Sequence, residues 1–205
     1  VFVLGGAKIS DAFGMMEQVL ESGTADKILT CGITGEIMLL AQGISLGKYK
    51  EDFIKDRGLN VFIKDAKRYL EKYNDKICCP KDLAFEEGQA RKEILVEDLP
   101  AEKMFMDIGR KTIEQYESIL PSAKTIFVNG PAGAYENPLF EMGTRAIWEA
   151  IAESDAYSVI GGGDTVAAAQ KFIDTKKISY VSTAGGAMVQ FMSGKKLPLI
   201  AAMER

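Results

Sequence analysis

Four times along this chain a short apolar run breaks into a glycine turn and then into a helical pattern. Val1-Phe2-Val3-Leu4 enters Gly5-Gly6-Ala7-Lys8, and Ile126-Phe127-Val128 enters Asn129-Gly130-Pro131-Ala132-Gly133. Val159-Ile160 enters Gly161-Gly162-Gly163-Asp164-Thr165, and Tyr180-Val181-Ser182-Thr183 enters Ala184-Gly185-Gly186. Strand, turn and helix in that repeated order specify a mostly parallel sheet with helices on both faces, because right-handed crossovers lay successive helices there. In such a sheet the carboxyl ends of the strands share one edge, so turns far apart in sequence meet at one crevice. A single glycine pair after a strand is ordinary turn chemistry. Four of them on one edge point to a common ligand.

The third turn indicates what kind of ligand. Glycines let the backbone approach closely, the first free N–H groups of a helix attract anions, and a carboxylate holds a hard cation. Gly161, Gly162 and Gly163, followed by Asp164 and Thr165, therefore suit phosphate with magnesium. Asp is also a favoured helix cap, worth about 1 kcal/mol with no ligand at all. The neighbouring glycines tip the reading toward metal, since a cap does not require them.

The rest of the chain keeps the same rhythm. Further strands are expected at 28–30 and 76–79, with the later ones at 125–128, 157–160 and 179–182. A first helix follows Ser10-Asp11, as plausible caps, and carries Phe13, Met16 and Leu20 on one face. Others are expected over 36–42, 64–72, 112–120, 140–152, 164–172 and 186–192. These follow from apolar spacing alone. Residues 81–103, after Pro80, lose periodicity and are expected to form an excursion with a small antiparallel element. With no internal repeat and no low-complexity linker, the 205 residues fit one α/β domain over 1–205, ample for a core on both faces of a sheet. Phe13, Met15, Met16 and Trp148 read as core.

Composition removes several chemistries. The chain has no histidine, which excludes Ser-His-Asp and Cys-His catalysis and His-ligated zinc. A net charge of −4, without interleaved basic and aromatic residues, gives no pull toward nucleic acid or an anionic membrane. Cys31 stands alone and Cys78-Cys79 are adjacent, so the spacing fits buried reduced thiols rather than a metal or redox pair. No apolar run spans a bilayer, and the chain opens inside a strand with neither initiator Met nor signal peptide, from which a fragment is expected. There is no G-x-x-x-x-G-K-[ST], and Gly5-Gly6-Ala7-Lys8 is not G-x-G-x-x-G. Phosphate binding must then use dispersed turns rather than a P-loop or a dinucleotide fingerprint. A noncatalytic nucleotide-binding module is the remaining rival class.

The same turns carry a resemblance. Gly5-Gly6-Ala7-Lys8-Ile9-Ser10-Asp11, Asn129 to Glu136, Gly161 to Thr165 and Ser182 to Ala187 resemble, in order, the signature segments of the phosphoglycerate kinases. Met106 to Thr112 and Gly194-Lys195-Lys196-Leu197-Pro198 add to the likeness. It runs over essentially the whole chain, yet covers only the carboxy-terminal, nucleotide-binding half of such enzymes. The resemblance implies a three-layer doubly wound fold with six core strands in the Rossmann-like order 3-2-1-4-5-6. It also implies a cytoplasmic monomer, with MgATP or MgADP as the partner and 3-phosphoglycerate held by an amino-terminal domain that is not in this chain.

The resemblance further assigns roles. Lys8 matches the catalytic lysine, and Gly162, Gly163, Gly185 and Gly186 match the backbone that cradles the phosphoryl group in flight. Asp164 matches the magnesium ligand. Gly5, Gly6, Asn129, Pro131, Gly133, Gly161 and Thr165 match nucleotide contacts, and Glu136 the carboxylate that holds the ribose. Adenine is expected in an apolar slot by Cys31-Gly32 and the Met106 segment. Three positions depart from the family: Cys31 and Ala184 stand where it has glycine, and Ala12 where many members carry a second lysine. Lys111 and Lys171 are the candidates to replace that second cation.

Overall fold

Residues of the core strands are apolar on both sides, and the sheet buries both. The computed structural model describes residues 1–203, so the last two positions of the expected domain lie outside the described residues. In β1 (Phe2–Leu4), Phe2 and Leu4 join one hydrophobic cluster while Val3 joins another. In β2 (Ile28–Thr30), Ile28 and Leu29 part in the same way. This is the period of two expected of strands, and continuous apolar runs are what a parallel sheet covered on both faces demands.

The parallel sheet continues through β3 (Ile77–Cys78) on one side of β2. Three antiparallel strands follow β3 in the chain: β4 (Asp82–Glu87), β5 (Ala90–Leu95) and β6 (Phe105–Ile108), in spatial order β5-β4-β6. This is the antiparallel element expected of 81–103, extended by one strand beyond it. The main sheet resumes with β7 (Thr125–Asn129), β8 (Tyr157–Gly161) and β9 (Tyr180–Ser182), giving the six-stranded order β3-β2-β1-β7-β8-β9. Counted among the core strands alone, that is 3-2-1-4-5-6, as expected.

Helices cover both faces. α1 (Ile9–Glu21), α2 (Gly32–Ala41), α3 (Lys48–Asp56) and α4 (Ile63–Tyr73) follow the first two strands, and Ile9, Met15, Ile37, Ile54 and Ala66 bury into the first cluster. α5 (Arg110–Ile119), α6 (Met142–Glu153) and α7 (Gly163–Phe172) cover the opposite face, where Ile113, Trp148 and Ala168 pack with Val3 and Leu29. Trp148 is 1% exposed; emptying such a site costs about 3–5 kcal/mol. α8 (Gly185–Met192) returns Val189 to the first cluster, and α9 (Pro198–Met203) closes the described chain. No described helix is long and apolar enough to cross a membrane.

Two expectations shift. α1 starts at Ile9 with Lys8 in the cap position and no side-chain cap bond, so Ser10 and Asp11 lie inside the helix rather than capping it. α3 was not foreseen: its mean character is polar, and the apolar spacing that marks a helix is thin between Lys48 and Asp56.

Candidate functional site

The order reverses between β1 and β7, the switch point at which open α/β sheets bind ligands beyond their strand ends. There the glycine turns interlock. Gly5 N–H donates to Asn129 O at 2.9 Å and Gly6 N–H to Pro131 O at 2.8 Å. Gly130 N–H donates to the Thr165 hydroxyl at 2.9 Å, which ties the β7 turn to the first turn of α7. Gly130 adopts φ 86°, and a side chain there would strike the Gly5 carbonyl carbon and Gly6 N. Gly162, at φ 94°, holds the cap position of α7, so Asp164 sits within that helix and is not its cap. A side chain on Gly185 would run into the Gly162 backbone, so the β8 and β9 turns also meet backbone to backbone.

Together the turns line a cavity of about 440 Å³, within the range of small-molecule sites. The β1 turn contributes Gly5, Gly6 and Lys8, and the start of α2 contributes Gly32. The last residue of β7, Asn129, and the turn after it, with Pro131, Gly133 and the exposed Glu136, supply a further side. Gly162, Gly163, Asp164 and Thr165 add the α7 end, and Gly185 and Gly186 the α8 end. Cys31 and Gly161 do not line it. Cys31 is fully buried behind the β1 turn, its Sγ 3.7 Å from Leu4 O, and burial pushes its thiol far up. Gly161 lies under Met188 and Ser182.

Two opposite charges stand at the mouth. Lys8 Nζ lies 3.1 Å from Asp164 Oδ2, with both side chains 68% exposed. A pair so exposed contributes little to stability. Both groups are thus available to a ligand at small cost.

The helix ends divide sharply. α3 starts on Glu102, whose carboxylate accepts from Lys48 N at 2.8 Å and Tyr49 N at 3.0 Å. α5 starts on the buried Asp82, which accepts from Lys111 N at 2.8 Å and Thr112 N at 2.9 Å. α6 starts on Asp107, which accepts from Gly143 N at 2.9 Å and pairs with Arg91 at 2.9 Å. Burial pushes Asp107 up to about 6, against the pull of those bonds. By contrast, among the described residues no carboxylate receives the first amides of α1, α2, α7 or α8, and no cap side chain bonds them. These four are the helices that open on the cavity, and each leaves N–H groups and a positive dipole end for an anion.

Neither Lys111 nor Lys171 lines the cavity. Lys171 Nζ donates to Tyr135 O at 2.6 Å and pairs with Glu141 at 3.0 Å, and Lys111 lines a shallow hollow beside Glu93 and Glu114. The second cation in the cavity wall is Lys50 of α3, buried with Glu36 of α2. Sequence reasoning missed both, because a lysine in a polar helix ordinarily faces water. Phe53, Leu83 and Phe105 were missed as well; they line the cavity at its apolar end. The thiols read as reduced are free, and burial pushes Cys79 up to about 12.

Comparison with known proteins follows this geometry. The family profile described as phosphoglycerate kinase matches residues 1–195. A phosphoglycerate kinase of Methanobacterium bryantii is 42% identical over 200 residues, which are 98% of this chain and 49% of that protein. One from Methanopyrus kandleri is 41% identical, over 99% of this chain and 50% of its own length. The crystal structure of phosphoglycerate kinase from Pyrococcus horikoshii superposes with a TM-score of 0.91 at 38% identity, covering 99% of this chain and 51% of that one. The chain thus spans about half the length of the curated relatives it matches. A family profile that matches residues 1–195 of the 205, together with a superposition at a TM-score of 0.91 and 38% identity, shows that this chain belongs to the phosphoglycerate kinase family.

Proposed function

We propose that this chain is the nucleotide-binding half of a phosphoglycerate kinase, which exchanges a phosphoryl group between MgATP and 3-phosphoglycerate. The observation that carries the reading is the meeting of Lys8, Asp164, Gly186 and four open helix ends on one cavity. A triphosphate supplies the anions those ends lack.

The donor set also suits magnesium. Magnesium is commonly held by one or two carboxylates together with substrate phosphates, and Asp164 offers one exposed carboxylate beside the amides of α7. Among the described residues no cluster of three or more His, Cys, Asp or Glu side chains forms a ready-made metal cage. When bound, the metal would neutralise phosphate charge.

In the bare site Lys8 and Asp164 satisfy each other. A bound nucleotide gives each a stronger partner: Lys8 turns its ammonium to the transferring phosphoryl group, and Asp164 is freed for the cation. The amides of Gly185 and Gly186 face that group from the α8 end and hold its oxygens without reorganising. Thr165 keeps the Gly130 turn in place through its hydroxyl oxygen and retains a proton to give a phosphate. Glu136 is placed for the ribose hydroxyls, and the base enters the apolar end past Gly32 and Met106. The acceptor carboxylate is already ionised at neutral pH, so no general base is required of a chain without histidine.

The 3-phosphoglycerate patch belongs to the other half of such enzymes, so the isolated chain binds MgADP or MgATP without turnover. Calorimetric titration with MgADP and with NAD, followed by phosphoryl-transfer assays of the chain alone and joined to a relative's amino-terminal half, tests this. Binding of MgADP and transfer by the joined protein alone are expected. Failure to bind MgADP, or turnover by the isolated chain, would overturn the reading.

A further inference from the structure

Helix α7 grips the turn after β7 in two places. In its first turn, the Thr165 hydroxyl accepts from Gly130 N at 2.9 Å. In its last turn, Lys171 Nζ donates to Tyr135 O at 2.6 Å. The two contacts are six helical residues apart, about 9 Å at the rise of an α-helix, and they hold both ends of the segment that leads to Glu136. The first lies next to Asp164, at the phosphate end of the cavity. The second lies one residue before Glu136, the carboxylate placed for the ribose.

Lys171 stands outside the cavity and is itself fixed. Its ammonium pairs with Glu141 Oε2 at 3.0 Å, and Glu141 also pairs with Arg145 of α6. It lies 5.8 Å from the ring centre of Tyr135 and 5.2 Å from that of Phe172, two rings that meet edge to face at 6.3 Å. An isolated surface ion pair contributes little, whereas charges in a network hold a geometry. Here the network ends on a main-chain carbonyl, so it fixes backbone. From the other side Ala134 N donates to Met106 O at 2.8 Å, which ties the turn to β6 but not to α7. Glu136 is exposed, so no packing around its side chain sets its place. The backbone that carries it does, and Lys171 is the side chain that reaches that backbone from α7.

We infer that Lys171 is a positioning residue for ribose recognition, fixing the Glu136 carboxylate relative to the phosphate-binding end of α7. The inference rests on the nucleotide reading above. One nucleotide must satisfy both ends at once, and a binding group displaced by about 1 Å loses good hydrogen-bond geometry. The helix acts as a spacer of set length, and Lys171 fastens its far end.

Calorimetry with the magnesium complexes of ADP and of 2′,3′-dideoxy-ADP, which lacks both ribose hydroxyls, tests this. The native chain is expected to prefer ADP by roughly ten- to a hundredfold, the worth of hydrogen bonds to a charged group. Lys171→Met cannot donate, and its preference should fall to about threefold or less, through weaker binding of ADP. Loss of the ammonium's charge, or a general loosening of the fold, weakens both probes alike and cancels in that ratio. Lys171→Arg, which keeps charge and donors, should recover the preference. A Lys171→Met protein, folded by circular dichroism, that keeps the native ratio would overturn the inference alone. A native chain that binds both probes equally would overturn it without any variant, and with it the ribose role of Glu136. If neither probe binds, the nucleotide reading falls and the inference falls with it.

Discussion

Helices α3, α5 and α6 begin on carboxylates supplied by the chain itself, whereas α1, α2, α7 and α8 begin on open cavity. The electrostatic need is the same at every end: unpaired amides and the positive pole of the helix dipole seek an anion. Where Glu102, Asp82 or Asp107 meets it, the contact belongs to the architecture, buried at Asp82 and Asp107 and exposed at Glu102. Where it is unmet, the helix follows directly from a glycine turn of the parallel sheet. The molecule thus meets one need in two ways, filling it internally at three helices and leaving it open at four, where the proposed nucleotide would bring its phosphates.

The strongest way to break that comparison is Lys8→Met in the chain joined to a relative's amino-terminal half. Lys8 is expected to act on the transferring group and on nothing structural, so turnover should fall by about 10³-fold or more, while the urea midpoint stays in place. Retention of more than a tenth of the activity would show that the open rim does not need its cation. Asp82→Ala is the mirror experiment. It strips two amides and the Thr112 hydroxyl of a buried acceptor, which should cost roughly 3–4 kcal/mol of stability and leave MgADP affinity of the folded protein unchanged. A change in affinity instead would mean the two sets of helix ends are not independent.

Asp107 sharpens the contrast through pH. Burial raises it from 3.8 to about 6, so the folded chain keeps a proton that the unfolded chain releases. Stability should therefore decline as pH rises between about 4 and 6 and be level above, by up to about 3 kcal/mol. Urea midpoints of the native protein and Asp107→Asn, compared across that window, should show the slope only in the native chain. Saturating MgADP, at a hundred times its Kd, should add about 2.7 kcal/mol, read as a rise in Tm. A Tm unmoved by nucleotide would leave the open ends without their ligand. The smallest effect is Gly163→Ala. Nothing lies within 4 Å of a side chain added there, so the helix should gain about 0.5–1 kcal/mol, at the expense of nucleotide affinity.

Much of this was legible in the chain. The four glycine turns announced the parallel sheet and its crevice, and Lys8, Asp164 and Gly186 do line one cavity. The starts of α1 and α2 were less legible. Apolar spacing placed α2 from residue 36, but Gly32 already begins it, because the edge of the sheet, not the helix's own periodicity, decides where the turn ends. Lys50 and Glu36 were invisible, since burial of a charge depends on what folds over it. Cys31 was named as a nucleotide contact but stands behind the wall, where its sulfur fills the space that a side chain on Gly5 would take.

Local chemistry by itself settled the strands, the glycine junctions and the order in which layers are laid down, since period and turn preference are properties of neighbouring residues. Tertiary structure alone decided which helix ends would be filled and which left open, and which charges would be sealed into the apolar end. Those outcomes depend on residues dozens of positions apart, such as Glu102 on α3 or Lys50 on Glu36, and electrostatic pairing is fixed by distance in space rather than along the chain.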